Sequence, residues 1–138
     1  MQDLLRQHGM KVTKGRVEVL RLMEKADVPM SADDVYSKIP RTTCSSLSTA
    51  YRILNQLTEV GLLQSSLQQN GVTYYEFSNH EHRHYIVCQR CGKIAPLENC
   101  PMTAIDNYIR KDTGFEITGH VFELKGICPD CQKLDQED

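Results

Sequence analysis

Two cysteine pairs constrain this chain more than any other feature of its sequence. Cys88-Gln89-Arg90-Cys91 and Cys128-Pro129-Asp130-Cys131 are separated by 36 residues, 92–127. A C-x-x-C turn places two sulfurs on one side of a metal ion, and two such turns complete a tetrahedron. Zn²⁺ suits this set best, because it favours four thiolates and is redox-inert. The spacing predicts a closed structural zinc site formed by Cys88, Cys91, Cys128 and Cys131.

Four unrelated cysteines, a thioredoxin-like redox pair and an iron–sulfur cluster are the alternatives. The redox pair is disfavoured because no βαβ pattern surrounds either motif. The N-terminus lacks a signal peptide's basic start and long apolar core, and no apolar run approaches the ~18 residues of a membrane span. We therefore expect a cytoplasmic protein with no membrane partner, in which reduced thiols hold metal.

Helical periodicity and turn signals alternate through residues 1–78. One helix is predicted from Lys14 to about Lys25 after a Thr13 cap, and a capping box at Ser31–Asp34 starts a second. A third helix, capped by Ser46 or Ser48, has an apolar stripe at i, i+3, i+4 and i+7 from Ala50. A hairpin with its turn at Asn70-Gly71 follows. Helices followed by a two-stranded hairpin predict a winged helix-turn-helix domain over residues 1–78.

The polar face of the third predicted helix is a candidate for reading DNA. Tyr51 can contact a thymine methyl group, and Arg52 can bind phosphate or guanine. The chain has a net charge of −2, yet its first sixty residues carry nine Lys/Arg against seven Asp/Glu. An ordinary solvated face is the alternative. The predicted DNA-contacting residues are Lys11, Lys14, Arg16, Ser48, Thr49, Tyr51 and Arg52.

Residues 79–138 are predicted to form a small α/β domain. The pattern indicates a strand at Tyr85–Val87, a helix from near Cys100-Pro101 to Gly114, and a long strand over Phe115–Lys125. A shift of the apolar phase predicts a bulge near Val121-Phe122. A unit of about sixty residues buries little surface, so it needs a crosslink such as a bound metal, or a partner chain, to be stable.

Histidines concentrate just before the first cysteine pair. His80, His82 and His84 alternate with Glu81 and Arg83, so on an extended strand their imidazoles share one face. Imidazole, carboxylate and thiolate groups together suit a borderline divalent ion such as Zn²⁺. A polar hairpin without metal is the alternative. We predict a second, exchangeable divalent metal, preferably Zn²⁺, bound by His82, His84 and His120, with Cys100 as fourth ligand and Glu76 or Glu98 as alternatives.

Taken together, these motifs resemble the Fur superfamily of bacterial metalloregulators over essentially the whole chain. The resemblance implies a homodimer whose winged helices bind a palindromic double-stranded DNA operator when the sensor metal is bound. The implied fold is α+β: an N-terminal winged helix-turn-helix plus a small α/β dimerisation domain (79–138) with structural zinc. The matching segments are Lys11-Val12-Thr13 with Arg16, Ser31 to Tyr36, Ser48 to Leu54, the His-rich strand, Cys88 to Lys93, and Gly119-His120 with Cys128 to Cys131.

Within the superfamily, Glu98 to Met102 and Cys128 to Cys131 look like the zinc-uptake regulators of Gram-positive bacteria. There are departures from the pattern. Pro29 and Pro96 stand where relatives have a hinge histidine and a carboxylate, and Ser78 lies near the position of a zinc-regulator cysteine.

The histidine run also departs from the family. Its last histidine, His84, lies four residues before Cys88, whereas relatives usually have one three residues before. Relatives have a sensor metal site at the hinge, and of its ligands only Glu76 is clearly present here. Aligned without a gap, His82, His84 and His120 match a second metal site of the family instead.

The function predicted is a metal-dependent repressor, zinc-responsive and controlling metal-uptake genes. An iron- or peroxide-responsive regulator of the same family is the alternative. Peroxide sensing needs iron that is bound by oxygen and nitrogen ligands. The replacement of a carboxylate by Pro96 removes one such oxygen ligand and therefore argues against a peroxide sensor. A zinc-dependent hydrolase or deaminase would keep an open zinc position, and a deaminase would also have a Pro-Cys-x-x-Cys order. Here Pro129 follows its cysteine, so we predict that the chain is not an enzyme. A zinc-ribbon interaction module would not need the winged helix.

Overall fold

The computed structural model describes residues 1–78, 83–120 and 123–136. The chain divides into two compact units, Met1–Glu81 and His82–Asp138. The domain boundary predicted between residues 78 and 79 stays a prediction. In the described part of the chain, no helix combines the length and apolar character that crossing a bilayer requires.

Four helices lie in the described part of the first unit. The helix expected after Thr13 is confirmed, and the Thr13 Oγ1 atom accepts a hydrogen bond from the Arg16 N–H at 3.2 Å. The third predicted helix is also confirmed; its cap is Ser46, whose Oγ accepts from the Thr49 N–H at 3.2 Å. A short N-terminal helix was not predicted. The four are α1 (Gln2–Gln7), α2 (Lys14–Lys25), α3 (Ala32–Lys38) and α4 (Leu47–Glu59).

The capping box at the start of α3 is confirmed. The Asp34 N–H donates to the Ser31 Oγ atom at 3.2 Å, and the Ser31 N–H donates to the Asp34 Oδ2 atom at 3.0 Å. Each bond satisfies a backbone donor that the first helical turn leaves without an intrahelical partner.

Ser31→Ala is expected to lower the free energy of unfolding of the first unit by about 1 kcal/mol, because one capping acceptor is lost at a buried position. Ser37→Ala is the matched control, since Ser37 lies on the same helix but its exposed hydroxyl donates to a carbonyl already inside the helix. Denaturant unfolding followed by circular dichroism measures both. Equal losses for the two variants would contradict a capping role for Ser31.

A three-stranded antiparallel sheet completes the first unit, with strands β1 (Met30–Ser31), β2 (Leu63–Gln69) and β3 (Val72–Phe77) in the order β1-β3-β2. The predicted hairpin turn is confirmed. Asn70 and Gly71 have φ angles of 52° and 78°, as the two central residues of a type I′ turn require. The β2–β3 hairpin is the wing that follows helices α3 and α4.

The hydrophobic core of the described residues lies in this unit. Helices α2, α3 and α4 pack with the inner face of β3, and Leu20, Leu54 and Leu57 are fully buried. Gly15 lets α2 approach α4 closely, because a Cβ atom there would lie 3.0 Å from the Ile53 Cδ1 atom. The helix-turn-helix and its wing thus form one packed body.

The second unit has a three-stranded sheet in the order β5-β4-β6, in which β4 pairs antiparallel with β5 and parallel with β6. Of the side chains that the structure describes in this unit, only Tyr85, Cys88 and Cys131 are buried. This part of the chain therefore has little apolar core of its own. Its elements are β4 (Tyr85–Cys88), β5 (Ile94–Pro96), α5 (Met102–Thr113), β6 (Leu124–Gly126) and α6 (Pro129–Gln136).

The helix predicted to begin near Cys100-Pro101 is confirmed, and it ends at Gly114 in a left-handed conformation with φ of 74°. The long strand predicted over Phe115–Lys125 is wrong. Residues 115–120 are not in a strand, and among the described residues after Gly114 only Leu124–Gly126 pairs, with β4. The bulge predicted near Val121-Phe122 lies outside the described residues. The alternation that suggested a strand belongs to a largely exposed segment, in which Phe115 is 72% exposed.

Candidate metal centres and nucleic-acid interface

The four paired cysteines converge in the second unit. Cys88 ends β4, Cys91 lies in the turn after it, and α6 carries Cys131 one turn beyond Cys128. The Sγ atoms of Cys88 and Cys131 are 3.8 Å apart, and those of Cys91 and Cys128 are 3.6 Å apart. Zinc–sulfur bonds of about 2.3 Å put tetrahedral ligands about 3.8 Å from one another. The spacing of the sulfurs therefore fits a single tetrahedral ion.

The local electrostatics also favour a cation among these sulfurs. Backbone N–H groups of Cys91 and Cys128 lower the pKa of Cys88 to about 5; the Cys128 N–H lies 3.3 Å from the Cys88 sulfur. The neighbouring Cys128 side chain and burial raise the pKa of Cys131 to about 12. Without a cation the four groups do not all ionise near neutral pH, so metal binding would release protons.

A second group of ligand-type side chains lies in the same unit. The Nε2 atom of His120 is 3.0 Å from the Nε2 atom of His84 and 3.3 Å from the Sγ atom of Cys100. One ligand atom of each residue lies within 4.8 Å of the others, and all three residues are half-buried. Tetrahedral zinc with nitrogen and sulfur ligands has edges of about 3.3–3.6 Å. The three side chains can therefore approach one ion with little movement.

Three different segments bring this group together. His84 immediately precedes β4, and its carbonyl accepts a hydrogen bond from the Leu97 N–H at 2.8 Å, just beyond β5. Cys100 lies just before α5, and His120 lies beyond the glycine that ends α5. The strand pairing and the helix therefore determine where the three side chains meet.

The other predicted ligands are placed differently. His82 lies outside the described residues. Glu76 lies on β3 of the first unit, where it is buried and its Oε1 atom accepts a hydrogen bond from the Gln64 Nε2 atom at 2.8 Å. Glu98 is exposed and is not among the three grouped side chains.

The predicted DNA-contacting residues lie on or beside α4. Ser48, Tyr51 and Arg52 are exposed on this helix, and Tyr51 is 41% exposed. Thr49 is half-buried, with its Oγ1 atom 2.9 Å from the Oγ atom of the Ser46 cap. Of these residues, three on α4 are therefore open to a ligand, and Thr49 also helps to cap the helix.

The three predicted basic contacts lie at the start of α2 or just before it. Lys11 and Lys14 are exposed, and Arg16 is half-buried. The Arg16 guanidinium donates to the Lys11 carbonyl at 2.7 Å and to the Gln56 Oε1 atom at 3.1 Å. Arg16 therefore connects α2 with α4.

The exposed side chain of Asn55 on α4 was not among the predicted contacts. Asn55 lies seven residues after Ser48 and shares its face of the helix. The Tyr75 hydroxyl donates to the Asn55 Oδ1 atom at 2.9 Å. The i, i+3, i+4 and i+7 spacing from Ser48 could have identified Asn55, but its contact with the wing could not be read from spacing.

Comparison with known proteins agrees with this architecture. The model of the ferric uptake regulator family matches residues 7–125. The ferric uptake regulation protein of Neisseria gonorrhoeae is 34% identical over 130 residues, which cover 93% of this chain and 90% of the relative.

Two solved structures extend the comparison to the fold. The ferric uptake regulator from Francisella tularensis with iron is 32% identical, with a TM-score of 0.73 over 90% of this chain and 96% of that chain. The Helicobacter pylori ferric uptake regulator, which has three functional metal binding sites, is 25% identical, with a TM-score of 0.77 over 95% of this chain and 88% of that chain. The predicted α+β fold class is confirmed.

The family also decides between the broad functional classes that the sequence left open. The alternative of a zinc-dependent hydrolase or deaminase is excluded by this match, because the proteins of this family are transcription regulators and not enzymes. From the match over residues 7–125 and the shared fold, we conclude that the chain belongs to the ferric uptake regulator family of metal-responsive transcription regulators.

Proposed function

We propose that this protein is a cytoplasmic, zinc-responsive repressor of metal-uptake genes, which binds a palindromic operator as a homodimer. The observation that carries the proposal is the group formed by His84, Cys100 and His120 beside a separate four-cysteine group. One group suits permanent structural zinc, and the other suits an exchangeable ion.

The choice of zinc for both sites follows from the ligand atoms. Four thiolates form a closed set, whereas two imidazoles and one thiolate leave a position for a further ligand. We assign that position to His82. A nitrogen and sulfur set of this kind favours Zn²⁺ over the harder ions that prefer carboxylates.

Iron is the second candidate signal. The Neisseria gonorrhoeae relative is named for ferric uptake regulation, and the Francisella tularensis structure contains iron. Both proteins share about a third of their residues with this chain, so kinship alone favours iron as much as zinc. The thiol of Cys100 in the group is the specific observation that favours zinc.

Metal-dependent DNA binding tests the proposal. The purified chain is treated with a mild chelator that removes exchangeable metal, and DNA selected from a random duplex library is then titrated with added Zn²⁺, Fe²⁺ or Mn²⁺. We expect Zn²⁺ to restore binding at the lowest free concentration. Restoration by Fe²⁺ at a lower free concentration than Zn²⁺ would support the iron-responsive alternative instead.

A second copy of the chain is the partner that we propose for the second unit. Among the described residues, most of the large apolar side chains that are exposed lie in this unit, and Tyr108 and Phe115 are more than 70% exposed. The described side chains of this kind are Ile105, Tyr108, Phe115, Leu124 and Leu134. We infer that a second copy of the chain covers them, because an interface is one place where large apolar side chains of a folded chain become buried.

The DNA interface that we propose consists of the exposed face of α4 and the basic residues at the start of α2. Exposed side chains of a recognition helix read base edges in the major groove, whereas lysine and arginine on neighbouring elements contact phosphates. Both kinds of residue lie in the first unit, so a single folded body carries the whole interface.

Tyr51→Ala is expected to reduce affinity for the selected DNA by about 1–3 kcal/mol, because a base contact is lost. Lys14→Ala should instead weaken binding to all sequences and lower the slope of log K against log salt by about 1. Titrations at several salt concentrations, with selected and unrelated duplexes, separate the two effects. Wild-type affinity for Tyr51→Ala would show that another surface reads the bases.

A further inference from the structure

Two neighbouring amides on α4 have their oxygens bound by donors from other parts of the first unit. The Asn55 Oδ1 atom accepts from the Tyr75 hydroxyl at 2.9 Å, and the Gln56 Oε1 atom accepts from the Arg16 Nη2 atom at 3.1 Å. Asn55 is exposed, whereas Gln56 is half-buried. Because an amide has its oxygen and nitrogen on opposite sides, each bond fixes which side of the amide turns to a ligand.

Asn55 lies in line with the side chains that we propose to contact DNA. It is four residues after Tyr51 and three after Arg52, so the three share one face of α4. All three are exposed. A ligand that contacts Tyr51 and Arg52 therefore also meets the Asn55 amide.

Tyr75 is suited to hold that amide. It lies on β3, the central strand of its sheet, and only 5% of its surface is exposed. Burial, and to a smaller extent the nearby Tyr51, raise the pKa of Tyr75. Its protonated hydroxyl donates to the Asn55 Oδ1 atom, which has no proton to give. The hydrogen bond therefore connects the wing with α4 and keeps the amide nitrogen as the group offered to a ligand.

We infer that Asn55 is a specificity-determining residue whose Nδ2 atom donates to an acceptor on a base edge, and that Tyr75 is its positioning residue. The inference rests on the proposed DNA-binding function. Purine N7, guanine O6 and thymine O4 are the acceptors that the major groove offers. Cytosine presents an amino donor there, so a cytosine facing Asn55 is rejected.

Selection from a random duplex library tests the inference with four forms of the full-length, Zn²⁺-loaded chain. These are the wild type, Asn55→Ala, Tyr75→Phe, and the matched control Tyr74→Phe, in which the neighbouring tyrosine of the same strand loses its hydroxyl. We expect Asn55→Ala to lose roughly 5- to 150-fold of its discrimination between bases at one base pair of the site and at the symmetry-related base pair. This is the discrimination that a single base contact provides. Tyr75→Phe should lose less at the same position, and Tyr74→Phe should match the wild type.

The outcomes separate this inference from the proposed function. If the wild type selects a sequence and Asn55→Ala selects it with the same discrimination at every position, the inference fails and the proposed function stands. A uniform loss at all positions in Tyr75→Phe would show that the hydrogen bond only stabilises the fold, which also overturns it. If the wild type selects no sequence, the proposed function and the inference fail together.

Discussion

Cys128→Ser is expected to unfold the second unit and to release its tightly held zinc. Of the side chains that are described in this unit, only three are buried, and two of them are cysteines of the four-cysteine group. Zinc binding in small zinc domains contributes about 10–16 kcal/mol of apparent free energy, which equals or exceeds the whole stability of a typical domain. Zinc content per chain, circular dichroism and sedimentation measure the loss of metal, fold and dimer.

Cys100→Ser is the matched control for this experiment, because it also removes one thiol from the second unit but belongs to the other group. It should keep the tightly held zinc and the fold. A Cys128→Ser protein that retained both its tightly held zinc and its dimer would show that the four cysteines do not form the structural site.

His84→Ala and His120→Ala are expected to make DNA binding insensitive to metal while leaving the dimer and the four-cysteine zinc intact. The Nε2 atoms of the two histidines are 3.0 Å apart, so each alanine removes an imidazole from the same proposed ion. A metal activates DNA binding only through its higher affinity for the DNA-competent state. Such coupling is typically 5- to 150-fold, and we expect it to disappear.

DNA binding with and without added Zn²⁺ measures this coupling, and zinc content measures the remaining site. His8→Ala is the matched control, because His8 is exposed at the end of α1 in the first unit. If the double variant of His84 and His120 still gained affinity for DNA on addition of Zn²⁺ as strongly as the wild type, the proposed sensor site would be wrong.

Local signals in the sequence were sufficient to predict most of the first unit. The caps of α2 and α3 and the turn at Asn70-Gly71 each depend on residues within four positions of one another, so they can be read without knowing the fold. The apolar stripe of α4 identified which of its sides is buried. The predictions failed where a pattern has more than one physical explanation. Alternation in residues 115–120 fits a strand, but a strand also needs a neighbour to pair with.

The candidate sites show the same division between local and long-range information. The spacing of the two C-x-x-C turns was sufficient to predict that these four sulfurs lie together. The approach of His84, Cys100 and His120 depends instead on β4, β5 and α5, so the sequence could only suggest it from the type of side chain. The contact between Tyr75 and Asn55 joins residues twenty positions apart, on a strand and a helix whose packing no local pattern describes.

The unequal distribution of buried side chains has a consequence for the lifetime of the protein in the cell. The apolar core lies in the first unit, whereas two of the three described side chains that are buried in the second unit belong to the four-cysteine group. Newly made chains that obtain no zinc would present a folded first unit attached to an open segment, which proteases cleave readily. Zinc supply during synthesis would then set how many regulator molecules accumulate, in addition to how many of them are active.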